Sequence, residues 1–506
     1  MFWRPSPEKR DYRIVGFRDW ATRSNPSFIT KEASTLRASA QSTSFRFCPS
    51  RLRLDRIARF QHTASWAYDS GSMVIDSTRW KKVVARGLTT AILLVVVGAA
   101  FGDIESDFVP NPDDPAIAYG TQPTTDPIYV LNRELQAGRV QLKFDGEQGY
   151  LRSVLGALHI PIESQMAVFS KTSVQAARIN PQNPRTLFFN DSVAVGWVRG
   201  GFIEAAAQDP KQGVIFYTLT QSPVENPQFV RHGECLQCHN SNNAMGVPGM
   251  LVRSEFTGPD GKTMPWLGSY LSDHRNPLEE RWGGWYVTGK TGAIQHMGNE
   301  VVTDSSKADS PVTEQTLNLE SLQGKFDTDA YLSPYSDIVA LMVFEHQMRM
   351  MNLLTRIGWQ TRYALGAGNV QDVNANGMGE TTQELVDYML FVDEAPLANR
   401  IEGTSGFAET FSAEGPHDSQ GRSLRQLDLE RRLMRYPCSY MIYSDAFDAL
   451  PSEAKGLIYH RMWLILSGAV TGARYARLSL ADREAVVEIL RQTKPGLPDY
   501  FRAVTR

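Results

Sequence analysis

The segment SPYSDIVALMVFEHQMRMMNLLTRIGWQTRYAL, residues 333–365, brings a change of hydrophobic period that decides the fold class. Its apolar residues recur at roughly helical spacing, although Glu345 and Arg349 interrupt the apolar stripe. This period predicts a long helix. We expect further helices in TTQELVDYMLFVDE, LRQLDLERRLMRYPCSYMIYSDAF, PSEAKGLIYHRMWLILSG and LSLADREAVVEILRQT, the last opened by the capping residue Ser479. Residues 333–506 are therefore predicted to form a mainly α-helical C-terminal domain.

The chain before this segment shows a different pattern. Between residues 140 and 300, short strand-like runs alternate with Gly, Pro and Asn turns. The runs are QMAVFSKT, TLFFNDSVAVGWV, GVIFYTLTQ, GMLVRSEF, WLGSYLSD and WGGWYVTG. We therefore predict a sheet-rich domain over residues 131–332 and an α+β fold for the whole protein.

The first 130 residues divide into three parts. Residues 73–102 place a basic segment before the apolar run from Leu88 to Phe101, a pattern typical of an export signal or an uncleaved N-terminal anchor. Residues 1–72 have no periodicity and are interpreted as a misassigned or disordered leader upstream of a second start. Residues 103–130 are rich in Pro, Asp and Thr and predict an exposed linker. The body of the protein is thus predicted to be periplasmic or otherwise exported.

Charge is distributed unevenly along the chain. Residues 1–102 carry 17 Lys and Arg and 7 Asp and Glu, whereas the remainder carries 35 and 48, a net charge of −13. An acidic surface repels nucleic acid and can steer a basic protein partner at low salt. We expect no nucleic-acid partner, and membrane contact only through an uncleaved N-terminal helix.

The stretch RHGECLQCHNS, residues 231–241, carries the chemistry of the sheet-rich region. Its two cysteines and the adjacent histidine form a Cys-x-x-Cys-His motif, in which the thiols bond to the vinyl groups of haem and the imidazole reaches the iron. The motif predicts one covalently bound haem c, with thioether bonds at Cys235 and Cys238 and His239 as axial ligand. The predicted export signal supplies the compartment in which such attachment occurs.

Three other uses of the close cysteine pair remain open at this point. A thioredoxin-like redox pair would lie at the start of a helix in a βαβ unit, whereas the flanking sequences here are typical of loops. A zinc site would need a second ligand pair, and no second Cys/His cluster occurs in the sequence. A disulfide between cysteines this close would be strained.

The sixth iron position decides what the haem does. We favour His296 as distal ligand, because it follows the predicted hairpin GGWYVTGKTGAIQ, whose edge could hold an imidazole at a fixed distance. His274 is the second candidate, and Met297 and Met245 follow.

Several long segments resemble an uncharacterised family of exported bacterial cytochrome c proteins with a single haem. They are ECLQCHNS, GVPGMLVRS, SDHRNPLEERWGGWYVTG, HMGN, YLSPYSDIVALMVFEHQ and MRYPCSYMIYSDAFDALP, and the resemblance covers most of residues 120–500. It implies the same haem attachment and ligation by His239. A shorter likeness, in SVQAARINPQNPRTLFFN, GVIFYTLTQ and CLQCH, is similar to c-type haem PAS-like sensor domains and implies a PAS-like sheet.

Two functions follow from a single exported haem. With both axial positions filled, it would transfer single electrons to or from a redox partner protein. With an open sixth position, it would act as a haem-based oxidoreductase or as a gas or redox sensor. A binding protein without haem would require unmodified Cys235 and Cys238.

Overall fold

The computed structural model describes residues 109–303, 316–368 and 378–501. The predicted leader (1–72) and export signal (73–102) lie outside these residues. All described residues belong to one compact unit. Among them, none of the helices has the length and apolar composition required to cross a bilayer.

The described residues contain an antiparallel seven-stranded sheet and a separate two-stranded sheet. The strands are β1 (Met166–Val168), β2 (Arg185–Phe189), β3 (Val193–Trp197), β4 (Ile203–Asp209), β5 (Gly213–Leu219), β6 (Val230–Arg231), β7 (Arg253–Glu255), β8 (Ser269–Leu271) and β9 (Trp285–Tyr286). The large sheet has the order β6-β5-β4-β3-β2-β1-β9, so that consecutive strands from β1 to β6 are neighbours. β7 pairs with β8.

The α-helices of the described residues are α1 (Pro127–Gln136), α2 (Leu151–Ala157), α3 (Leu236–His239), α4 (Ile338–Gly366), α5 (Met378–Met389), α6 (Phe407–Ala413), α7 (Asp445–Asp448), α8 (Ser452–Leu466) and α9 (Leu480–Thr493). The predicted α+β class is confirmed. The predicted helices at α4, α5, α8 and α9 are present, and the Ser479 side chain accepts a hydrogen bond from the Asp482 amide at the start of α9.

The large sheet is buried on both faces, because alternate side chains of each strand enter different clusters. One face joins a cluster with α1 and α2, which includes Ile128 and Leu151. The other face packs on α4, where the Phe189 and Phe344 ring centroids lie 5.0 Å apart. The sheet and α4 therefore share one core. In the described part of the predicted linker, Ile117 is also buried.

Helix α4 is buried all round. Every residue from Ile338 to Thr361 is buried except Arg349. A helix surrounded by protein needs no solvated face, so the interruption of its apolar stripe does not mark a surface. Glu345 instead forms an ion pair with Arg281 at 3.1 Å inside the protein.

Three local predictions were wrong. The hairpin predicted in GGWYVTGKTGAIQ is absent, since β9 pairs with β1 and no second strand follows in this stretch. Strands β4 and β6 were not predicted, because the β4 sequence IEAAAQD combines three alanines with polar residues and has Ile203 as its single β-branched residue, and β6 has only two residues. The helix predicted over residues 424–447 is largely absent, and α7 and a 3-10 turn at Tyr440–Tyr443 occupy only its end. Contacts with other parts of the chain contribute to its conformation, since Arg425 forms ion pairs with Asp191 and Glu414.

The start of α4 depends on one carboxylate. Asp337 caps the helix by accepting from the Val339 and Ala340 amides, and it also accepts from the Thr404 and Ser405 amides. We expect Asp337→Ala to lower the free energy of unfolding by about 2 kcal/mol, because buried amides lose their acceptor. Urea unfolding measures this loss. Asp329→Ala, which removes an exposed carboxylate, is the control and should stay within about 0.5 kcal/mol of the parent.

Candidate functional site

The Cys-x-x-Cys-His motif forms a single helical turn beside strand β6. A 3-10 turn at Gly233–Cys235 leads directly into α3, which ends at His239. Cys235 closes the 3-10 turn, and Cys238 and His239 follow it in α3, at the i, i+3 and i+4 spacing of residues that are neighbours on a helix. The structure thus places the three predicted residues in one helical turn, and their roles in haem attachment and ligation stay predictions.

Both motif thiols are unpaired. Cys235 is half-buried and Cys238 is exposed. Burial, together with the negative charge of Glu234, raises the pKa of the Cys235 thiol. A reactive redox cysteine has the opposite shift, because a lowered pKa supplies its nucleophilic thiolate. The motif also lies next to an antiparallel sheet rather than in a βαβ unit, so the arrangement differs from a thioredoxin-like site.

The His239 imidazole is held in one tautomer. Its Nδ1 lies 2.9 Å from the Gly249 carbonyl oxygen. Since a carbonyl oxygen can only accept, Nδ1 carries the hydrogen and Nε2 keeps a free lone pair. Burial lowers the pKa of His239, which favours the neutral form. A neutral imidazole whose other nitrogen donates to a backbone carbonyl is the usual form of a metal-bound histidine.

The motif rests on an apolar part of the large sheet. Ala206, Val214 and Phe216 form a small buried cluster against which Cys235, Leu236 and Met250 pack. The His239 ring lies 4.6 Å from the Phe216 ring, centroid to centroid. Free thiols, a correctly protonated imidazole and an apolar wall are the groups that a covalently attached porphyrin needs, and these residues fit a haem c.

A zinc site at the same cysteines lacks support. In the described part of the chain, no group of three or more His, Cys, Asp or Glu side chains is arranged to hold a metal ion. A structural zinc site requires four protein ligands. Haem attachment makes no such demand, because the porphyrin supplies four nitrogen ligands itself.

His296, the favoured distal ligand, is buried in the core. Its ring meets the edge of Trp282, with centroids 5.5 Å apart. Its Nδ1 accepts a hydrogen bond from the Gly298 amide at 3.1 Å, so the neutral ring carries its proton on Nε2. Burial lowers the pKa of His296 to about 4. Ligation through Nε2 would require this proton to move, and the assignment of His296 stays a prediction.

His274, the second candidate, belongs to a buried pair of histidines. Its Nδ1 lies 2.8 Å from Nδ1 of His346, whose Nε2 lies 2.7 Å from the Ser439 hydroxyl. Tyr388 stacks on the His274 ring at 4.0 Å. Burial lowers the pKa of His274 well below its ordinary value, and the His346 ring adds to this shift. The His274 Nε2 atom has no hydrogen-bond partner among the described residues, and this assignment also stays a prediction.

Two contributors to the site were not predicted. Gly249 supplies the carbonyl that orients His239, and Asn352 of α4 bonds to the backbone of the next residue, Met250. The only signal available for Asn352 was a polar residue inside the apolar pattern of a helix. That signal gives no partner, since the contact joins residues about 100 positions apart.

Comparison of this chain with protein-family models, with curated proteins and with solved structures finds no match in any of the three. The functional conclusion therefore depends on the residues and geometry of the site.

Proposed function

We propose that this protein is an exported mono-haem c-type cytochrome that transfers single electrons to or from a redox partner protein. The observation that carries this proposal is the His239 imidazole, which has a free Nε2 lone pair and lies in the same helical turn as two unpaired thiols. When bound, the haem iron would supply one-electron oxidation and reduction.

Each residue of the motif has a separate role in this proposal. Cys235 and Cys238 would hold the porphyrin by thioether bonds, and His239 would bind the iron from one side. Gly249 fixes the tautomer and orientation of that imidazole through its carbonyl. Phe216 and its apolar neighbours keep water away from the ligand ring, which matters because the polarity around a metal tunes its reduction potential.

The large antiparallel sheet would form the haem domain, since α3 packs on its apolar face beside β5 and β6. Its PAS-like identity and the division at residues 332 and 333 remain predictions. The acidic balance of residues 103–506 supports a basic partner protein. This function also requires export, for which residues 73–102 are the predicted signal or N-terminal anchor.

One observation favours a second candidate function, a haem-based oxidoreductase or a gas or redox sensor. Both predicted distal histidines are hydrogen-bonded inside the core, and in His296 one ring nitrogen accepts from the Gly298 amide while the other carries the proton. An iron without a distal side-chain ligand could bind a small molecule in its sixth position.

Carbon monoxide separates the two functions. We expect that its addition leaves the visible spectrum of the reduced protein unchanged, because an electron carrier fills both axial positions with side chains. A prompt spectral shift would instead support ligand chemistry at an open position. His296→Ala and His274→Ala identify the distal residue, since loss of that ligand converts a six-coordinate spectrum to a five-coordinate one. Unchanged spectra in both variants would remove both assignments.

A further inference from the structure

Helix α4 contacts the peptide that orients His239. Gly249 forms two hydrogen bonds with His239. Its amide donates to the His239 carbonyl at 2.9 Å, and its carbonyl accepts from the His239 imidazole. The position of the Gly249 peptide therefore determines the direction and the length of the imidazole hydrogen bond.

The Asn352 side chain holds the neighbouring residue at two points. Its Oδ1 accepts from the Met250 amide at 3.2 Å, and its Nδ2 donates to the Met250 carbonyl at 2.8 Å. Both backbone groups have only one possible role, so the orientation of the amide is defined. Asn352 is 3% exposed, and a buried amide in the interior of a helix is unfavourable unless its polar atoms are paired.

A side chain at position 249 would have to displace the Asn352 amide. A Cβ atom added to Gly249 would lie 2.1 Å from Oδ1 of Asn352. On the opposite side, the Val214 amide of β5 donates to the Pro248 carbonyl at 3.0 Å. Residues 248–250 are thus held between the sheet and helix α4.

From this geometry we propose that Asn352 is a positioning residue for the proposed iron ligand, His239. It holds the Met250 peptide, and this fixes the Gly249 carbonyl that orients the imidazole. The inference rests on the proposed function and assigns the helical part of the chain a role in the haem centre. A hydrogen bond from Nδ1 to a carbonyl raises the basicity of a metal-bound imidazole and so favours ferric iron. Loss of the Asn352 contact should loosen this bond and raise the reduction potential.

Asn352→Leu, which keeps a similar side-chain volume, tests the proposal in the full-length protein coexpressed with a haem-attachment system. Mass spectrometry after denaturation first establishes that haem is attached. We expect the preference for ferric iron to fall about tenfold, equivalent to about 59 mV for one electron, measured by spectroelectrochemistry. The electron paramagnetic resonance spectrum of the oxidised protein should change as well, because it reports the axial imidazole.

Thr361→Val is the matched control, since Thr361 is buried on the same helix and its hydroxyl donates to the Ile357 carbonyl within that helix. It should leave the potential and the resonance spectrum unchanged. Asn352→Ser, a smaller polar change, replaces Asn352→Leu should the latter not fold. The positioning role would be overturned if the folded Asn352 variant kept the parental reduction potential and resonance spectrum. Equal shifts of the potential in the Thr361 control would overturn it as well. Parental protein without covalent haem would reject the proposed function itself.

Discussion

Cys235→Ser combined with Cys238→Ser is expected to yield protein without covalently bound haem, even when a haem-attachment system is coexpressed. Serine hydroxyls form no thioether bonds, so the loss should be complete rather than partial. Absorption of the purified protein and its mass after denaturation measure the outcome. His239→Ala should differ from the double variant in both measurements. Its thiols can still form the thioether bonds, but the axial nitrogen is lost.

Cys438→Ser provides the control for this experiment. Cys438 is buried in the helical part of the core, where burial raises the pKa of its thiol. It should keep the haem, because the attachment motif is intact. Parental protein that is colourless and has no added mass would contradict the cytochrome assignment, as would retention of covalent haem by the double serine variant.

Arg281→Met should cause the largest loss of stability among the substitutions considered. The Arg281 and Glu345 side chains are 2% and 0% exposed and lie 3.1 Å apart. Removal of the cation leaves the buried Glu345 side chain without its partner, so that it must either stay charged or take up a proton, at a cost of about 3–5 kcal/mol. Arg281 also donates to the His274 and Asn276 carbonyls, and these acceptors lose their donor. Urea unfolding at pH 8 measures the change in free energy.

The same pair predicts a dependence of stability on pH. Burial raises the pKa of Glu345 to about 7, although the Arg281 charge opposes this shift. Between the ordinary pKa of 4.5 and about 7, the folded state therefore holds more protons than the unfolded state. Stability falls as pH rises through this window, by about 3 kcal/mol for this group.

Glu345→Gln isolates the effect, because it removes the titration and keeps the shape of the side chain. The difference in unfolding free energy between this variant and the parent should change in favour of the variant as the pH rises from 5 to 8. The double variant Arg281→Met with Glu345→Gln should recover most of the stability that Arg281→Met loses, since no charge is left unpaired. Equal losses in the single and double variants would show that the pair itself contributes little.

The helical turn that carries Cys235, Cys238 and His239 was predictable because its geometry is local. Residues at positions i, i+3 and i+4 share one face in any helical turn, so the spacing of Cys235, Cys238 and His239 sufficed. The tautomer of His239 was not predictable, since it depends on a carbonyl ten residues away whose position α4 and β5 determine. The residue in the distal position is harder still to predict, because it would have to lie at a fixed distance from His239 across the haem, and such residues are far apart in sequence.

The fold shows the same division between local and long-range information. Periodicity and turn residues by themselves determined the α+β class, the helices at α4, α5, α8 and α9, and most strands, because these features depend on neighbouring residues. Only the tertiary structure decided that β4 pairs between β3 and β5 and that residues 424–439 do not form a helix. It also decided that Glu345 forms an internal ion pair with Arg281. Burial by distant segments can override local preference, since the free energy of packing and of buried charge exceeds that of intrinsic propensity.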